Sequence, residues 1–312
     1  MIKTFVTGHN GMVGSAIIRE LTNTNNNNRK IITETKENLD LTDQFKVNSF
    51  IKKINPDEII IAAAKVGGIH ANSSYPAEFI YDNLTIALNL IHAAYKNNVN
   101  KLLYLGSSCI YPRESNQPIS EEALLTGPLE STNEWYAISK IAGIKLCQAY
   151  RKQYNCNFIS AMPTNLYGIQ DNYHLQNAHV IPAIMHRAWI AKNNKSDKLI
   201  IWGSGNPTRE FLFVDDLAKG CVFLLDNYSE DIPINIGTGV EVSIKELAKQ
   251  ICDIVGFKGE LIFDKSKPDG TPRKVVDVSK INKLGWKANI NLSDGLKISF
   301  DWFLKNYKTI RK

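Results

Sequence analysis

The sequence lacks any apolar run approaching the roughly 20 residues that a membrane span requires, which sets aside a membrane partner. Its five cysteines, at positions 109, 147, 156, 221 and 252, are odd in number and never spaced Cys-x-x-Cys. That argues against a disulfide framework and against a zinc site, so no metal is expected. No internal repeat is present. There is also no run of one charge: the formal net charge of +6 comes from lysines scattered along the chain, which suits a solvated surface with a few phosphate contacts better than a nucleic-acid interface. The start, Met1 to Val6, reads as a strand with no cleavable signal pattern, and a cytoplasmic location is expected.

What is present is ordinary globular material. With 312 residues, 44% hydrophobic and 22% charged, the chain has apolar content for two intimately packed units. Ile2 to Thr7 reads as a strand, Gly8-His9-Asn10-Gly11-Met12-Val13-Gly14 as a turn and Ser15 to Leu21 as a helix. Glycines at 8, 11 and 14 let a pyrophosphate reach backbone N–H groups at the helix's positive end, which points to a dinucleotide. The polar run Asn23 to Asn28 reads as a loop tip. Lys30 to Thr33 is a second strand, followed by Glu34-Thr35-Lys36, where ribose recognition is decided. The acid there suits NADH and the base suits the 2'-phosphate of NADPH. Asp40-Leu41-Thr42-Asp43 reads as an adenine-side loop with Asp43 a helix cap.

Glu58 to Ala64 is a third strand, and Pro76 to Asn97 a long helix with Ile80, Leu84, Leu88 and Ile91 on one stripe, as core or dimer surface. Lys101 to Leu105 and Phe158 to Ala161 continue the alternation, which predicts an α/β protein with a doubly wound parallel sheet. Irregular chain is expected from Met162 to Gly168. A smaller mixed α/β C-terminal part follows, with a capped helix from Asp215, a returning strand at Asn235 to Gly239, a helix from Ser243 and a basic loop from Lys267 to Lys274. The expected division is 1–165 for the cofactor, with returning segments near 209–238, and 166–312 for the substrate, mainly 166–208 and 239–312.

The stretch from Leu105 to Lys140 carries the chemistry. Gly106 lets the backbone approach a ligand, and Ser107 falls at a strand's carboxyl end, where ligands bind in open parallel sheets. Tyr136 and Lys140 stand four residues apart in a helical segment and share a face. Tyr136 alone among the tyrosines has lysine four residues on. A ketone accepting a hydride needs a proton and a hydrogen bond at its oxygen. Tyr136 can give the proton, Ser107 the hydrogen bond, and Lys140 a cation that lowers the phenol's pKa.

These motifs, together with Ala62 to Ile69, Gly106 to Pro112, Met162 to Gly168 and Lys267 to Lys274, resemble the extended short-chain dehydrogenase/reductase family. The likeness is to its nucleotide-sugar epimerase-reductase branch and extends over nearly the whole chain. The resemblance implies a Rossmann sheet and a bifunctional enzyme that inverts C3 and C5 of a GDP-linked 4-keto-6-deoxy sugar and then reduces C4 with NADPH. It implies Cys109 as the epimerase base and His179 as its acid, beside Ser107, Tyr136 and Lys140. Cys109 is expected next to Ser107 because residues two apart on an extended strand end point to one side.

For the cofactor the resemblance implies Gly8, Asn10, Gly11, Met12, Val13, Gly14, Lys36, Asp40, Leu41, Leu105, Gly106, Ser107, Lys140, Pro163, Asn165, Leu166 and His179. For the GDP-sugar it implies Ser107, Ser108, Cys109, Tyr136, Asn165, His179, Arg187, Trp202, Arg209 and Asp269. Bacterial members carry arginine where this chain has Asn10, Glu34 and Lys36, so NADPH is expected with NADH the alternative. The competing readings are a reductase for a related GDP-heptose, a 4-epimerase or 4,6-dehydratase, and a non-enzymatic NADP sensor. Ser108-Cys109 stands where a dehydratase would carry Asp-Glu. The two long helices suggest a homodimer through a four-helix bundle.

Overall fold

The computed structural model describes residues 1–23, 28–175, 177–267 and 269–310. The polar run expected as a loop tip lies largely outside them. The chain runs β1 (Ile2–Thr7), α1 (Met12–Asn23), β2 (Arg29–Ile32), α2 (Gln44–Ile54), β3 (Glu58–Ile61), α3 (Ile69–Ser74), α4 (Pro76–Lys96), β4 (Lys101–Leu105), α5 (Glu134–Tyr154) and β5 (Phe158–Pro163). It continues through β6 (Asn165–Tyr167), α6 (Val180–Asn193), β7 (Lys198–Trp202), β8 (Thr208–Phe213), α7 (Val214–Asn227) and β9 (Ile234–Ile236). Last come β10 (Glu241–Ser243), α8 (Ile244–Val255), β11 (Glu260–Asp264), β12 (Arg273–Lys274), α9 (Ser279–Lys283) and α10 (Leu292–Asn306).

Six strands form one parallel sheet in the order β2-β1-β3-β4-β5-β9. Because side chains alternate along a strand, β1 and β4 feed two cores. Phe5, Leu102 and Tyr104 join the cluster under α2, α4 and α5, whereas Val6, Leu103 and Leu105 join the cluster under α1 and α7. Both faces are thus sealed by helices, each buried Leu or Ile contributing about 1.5–3 kcal/mol. At the amino ends of the strands Glu58 accepts from Thr4 Oγ1 at 2.8 Å and from Arg29 Nε at 3.0 Å. The carboxyl ends are left to form a crevice, with the reversal of strand order between β1 and β3 at its centre.

A third cluster packs α6, α8 and α10 with β7 and β11, a parallel pair. Between this layer and the main sheet, β8 pairs with β6, β10 and β12. Several expectations change here. The segment after Phe158 is strand through Pro163, where β9 pairs with it, and again over Asn165–Tyr167, where β8 supplies a backbone partner that no local pattern reveals. The helix expected to be capped at Asp215 starts at Val214 without a side-chain cap; Asp215 instead pairs with Arg19. The basic loop ends in strand β12. Asp43 caps α2 as expected, accepting from Lys46 N. Of the α4 stripe, Ile91 is buried, Ile80 and Leu84 are half-buried and Leu88 is exposed. No helix among the described residues is long and apolar enough to cross a membrane.

Candidate active site

The crevice above the sheet holds a cleft of about 710 Å³. At one side stands the glycine turn. Gly8 takes φ +70°, and Gly11 N donates to its carbonyl at 2.9 Å, closing the turn onto α1. A Cβ on Gly14 would lie 2.2 Å from Gly8 O, so helix and turn touch only because the side chain is absent. Asn10, Gly11, Met12 and Val13 line the cleft where α1 presents its free N–H groups. Gly8 and Gly14 support that wall from behind.

At the carboxyl end of β4, Gly106 N donates to Ala161 O at 2.8 Å. Leu105, Gly106, Ser107, Ser108 and Cys109 all line the cleft. The backbone does not stay extended, however. Ser107 caps a single 3₁₀ turn over Ser108–Ile110, its hydroxyl oxygen accepting from Cys109 N at 3.2 Å. Cys109 is therefore beside Ser107 through that cap, not through strand alternation.

From α5, Tyr136 and Lys140 reach the same space. Gly143 makes this approach: a Cβ there would meet the buried Tyr104 ring at 2.4 Å. Lys140 is 4% exposed and its ammonium donates to Leu105 O at 2.8 Å. Burial drives it down to about 8. Its Nζ lies 5.7 Å from the Tyr136 ring centre. The phenol departs from expectation. Burial, with the Cys109 charge adding to it, raises Tyr136, and only the hydrogen bond with Ser107 acts the other way. An ammonium engaged by a strand carbonyl and itself desolvated does not offset that.

Cys109 has a different environment. Burial would raise the thiol, but Lys274, the Ser107 hydrogen bond and Arg209 together bring it below its ordinary value. Lys274 Nζ donates to Cys109 Sγ at 3.4 Å. His179 caps α6 by backbone alone and opens onto the cleft, whose walls desolvate the imidazole and lower it. Pro163, Asn165 and Leu166 form the floor, with Asn165 Nδ2 donating to Glu210 O at 2.8 Å.

The remaining residues expected for the GDP-sugar extend from one side of the cleft. Arg209 lines it. Arg187, Trp202 and Asp269 lie just beyond its lining: Arg187 Cζ is 5.9 Å from the Trp202 ring centre, and Asp269, whose charge acts on Arg209, accepts from Ser204 N and Oγ at 2.6 and 2.8 Å. Lys36 is exposed, Asp40 accepts from Thr42 N in a turn at 2.9 Å, and Leu41 packs on the core below α4. Glu34 accepts from Asn38 Nδ2 and Thr35 N, which hold its carboxyl below the usual range.

Three ionisable side chains in the lining escape sequence reasoning. Lys274 reads as one base of a surface loop, and its partner is 165 positions away. Glu130 lies in the segment before α5. Asp171 is buried, has Oδ2 without a partner among the described residues, and is pushed up to about 7 by burial.

Residues 4–237 match the model of the NAD dependent epimerase/dehydratase family. A protein of Arabidopsis thaliana, putative GDP-L-fucose synthase 2, is 58% identical over 304 residues, covering 97% of this chain and 92% of that one. Among solved structures, a GDP-L-fucose synthetase from Naegleria fowleri bound to NADP superposes with a TM-score of 0.93 at 31% identity, covering 100% and 95% of the two chains. A GDP-6-OMe-4-keto-L-xylo-heptose reductase from Campylobacter jejuni superposes at 0.91 with 34% identity, covering 98% of each.

Proposed function

The chain belongs to the NAD dependent epimerase/dehydratase family, and from that premise we infer that it converts GDP-4-keto-6-deoxy-D-mannose to GDP-L-fucose, inverting C3 and C5 and then reducing C4. The observation that carries this reading is the meeting of Ser107, Cys109, Tyr136, Lys140 and His179 on one cleft beside a glycine-turn phosphate cradle. It is an oxidoreductase with epimerase activity, and it uses a nicotinamide cofactor.

The residues fit that cofactor, because the side-chain-free approach of Gly14 to Gly8 holds the turn against α1 and so sets the backbone of Asn10 to Val13 along the cleft at the helix's amino end. Asn10 to Val13 would hold the pyrophosphate, Lys140 and Asn165 the nicotinamide side, and Lys36 the 2'-phosphate of NADPH. Glu34 opposes that phosphate and keeps NADH as the alternative. When bound, the cofactor supplies the hydride for C4.

The C4 ketone acidifies the hydrogens on C3 and C5. Cys109 takes a proton from one face, the C–H pair passes into the enolate, and His179 returns a proton to the opposite face. Ser107 and Tyr136 hydrogen-bond the enolate oxygen. Tyr136 then gives its proton to the same oxygen as hydride arrives. Arg209 grips the diphosphate of the GDP-sugar, with Arg187, Trp202 and Asp269 further along the nucleotide. In this reading residues 1–165 with the segments near 209–238 hold the cofactor, and 166–208 with 239–312 hold the substrate. A homodimer through α4 and α5 is supported by Tyr81 and Leu88, 65% and 49% exposed on α4.

The test is incubation with GDP-4-keto-6-deoxy-D-mannose and NADPH in deuterated water, followed by absorbance and NMR. Deuterium at C3 and C5 of a GDP-L-fucose product is expected. NADPH oxidation without deuterium would make the protein a plain C4 reductase and favour the heptose-type activity.

A further inference from the structure

Cys109 is one of five cysteines, and what sets it apart is the strand facing it. We propose that Lys274 is a functional residue of this site, its ammonium holding Cys109 as the thiolate that removes the proton from the sugar carbon. The geometry is specific. Lys274 Nζ lies 3.4 Å from Cys109 Sγ, and among the described residues this is the one hydrogen bond that the ammonium makes. No carboxylate among the described residues lies in ion-pair reach of it, whereas the neighbouring Arg273 turns to the other side of the strand and pairs with Glu241 at 2.8 Å. Alternation along β12 thus sends one cation to the surface and the other to the sulfur.

The strand cannot drift. Parallel pairing with β8 sets Lys274 beside Arg209. Val275 N donates to Gln117 Oε1 at 2.9 Å, Ile119 N to Val275 O at 2.9 Å and Asp277 N to Ile119 O at 2.8 Å. Residues 117–119 follow the turn that carries Cys109, so sulfur and ammonium are tied through the same loop. On the other flank Val276 N donates to Glu210 Oε2 at 2.9 Å, and Glu210, fully buried, also accepts from Thr238 N and Gly239 N. A lysine on a free loop would lose backbone as well as side-chain entropy to hold such a contact; here the backbone is already ordered by its pairing.

The other charged and polar groups around the sulfur are consistent with this assignment. Ser107 comes from the same turn, Tyr136 from α5 and Arg209 from β8. Glu130, an acid that lines the same two cavities, is engaged by Arg113 at 3.6 Å and by Thr271 at 3.4 Å. Lys140 is turned to Leu105 O. A side cavity of about 30 Å³ borders both Cys109 and Lys274, room for a water or two. After the first inversion the S–H bond breaks, its electron pair stays on sulfur beside the ammonium and the proton passes to water. The same sulfur is then ready for the second carbon.

The thiolate's task as base rests on the proposed epimerisation; its pairing with Lys274 does not, and two measurements separate them. The first is the rate of iodoacetamide alkylation of Cys109 against pH, in the full chain without substrate. Peptide mass spectrometry reads that residue alone, with Cys109→Ala as blank. Lys274→Met and Lys274→Gln are expected to move the midpoint up by about one pH unit or more and to slow alkylation at pH 7 by about tenfold, and Lys274→Arg to restore most of it. NADPH binding and thermal melting check that the variants are folded. An unchanged midpoint in a folded variant overturns the proposal.

The second is deuterium exchange at C3 and C5, expected to slow by about tenfold or more in Lys274→Met. If the variant only weakens GDP-sugar binding and alkylation is unchanged, Lys274 is a diphosphate contact and the proposal fails. Wild-type protein that exchanges nothing defeats the epimerase reading, and the pairing is then judged on alkylation alone.

Discussion

Tyr136 and Lys140 show at the scale of single residues how burial and chemistry oppose each other. Tyr136 is proposed to act in reduction by giving a proton and in epimerisation only by a hydrogen bond. Tyr136→Phe is therefore expected to abolish NADPH oxidation, by about 10²-fold or more, while solvent exchange at C3 and C5 continues. Equal loss of both, measured by absorbance and NMR, would give Tyr136 another task. Lys140 has a folded-state pKa of about 8, below the 10.5 of the free side chain. The unfolded chain then binds more protons between those values, so the buried charge costs stability in full below about pH 8, and the cost fades as pH rises towards 10.5. Up to roughly 3 kcal/mol is involved, less about 1 kcal/mol for the bond to Leu105 O. Lys140→Met is expected to be more stable at pH 7 by about 1–2 kcal/mol and inactive as a reductase, with the advantage vanishing near pH 10. Denaturant melts across that range decide it; a less stable variant at pH 7 would mean the charge is compensated.

At the scale of elements, the site depends on how closely α5 approaches β4. Gly143 sets that distance, because the Tyr104 ring occupies the place of its missing side chain. Gly143→Ala gains up to about 1 kcal/mol in helix propensity. It also drives a Cβ into a buried ring that has no room to swing, an overpacking cost of about 1–3 kcal/mol. The expected result is a net loss of stability together with a lower kcat, since Tyr136 and Lys140 ride on the displaced helix. Urea melts and NADPH oxidation check both; unchanged kcat would show that α5 absorbs the methyl without moving. The sequence makes this helix legible through the spacing of Ile138, Ile141 and Ile144, and places Tyr136 and Lys140 on one face. It is silent on Tyr104, because a ring on a neighbouring strand leaves no trace in helical periodicity.

For the whole molecule the open question is what covers α4 and α5. Tyr95 stacks on Tyr154 at 4.3 Å between ring centres, and Leu88 and Tyr81 stand out into solvent. Two such helix pairs related by a two-fold axis would form a four-helix bundle. Light scattering is expected to give a dimer, and Leu88→Lys to weaken it by about tenfold or more. A wild-type monomer would retire the assembly.

The sequence by itself determined what depends on local spacing. Glycines at 8, 11 and 14 mark the tight turn into the first helix, strand and helix alternation gives the doubly wound sheet, and one Tyr-x-x-x-Lys gives a helix face bearing a phenol and an ammonium. Tertiary structure alone decided what depends on distant pairing. Cys109 sits beside Ser107 because a 3₁₀ turn is capped there, and Lys274 meets its sulfur across 165 residues because β12 lies against β8. Arg187 and Trp202 fall outside the cleft that Arg209 enters. Periodicity reports which face of an element is apolar; which strand lies beside which, and so which charge faces which thiol, is fixed only when the backbone hydrogen bonds of separate segments close.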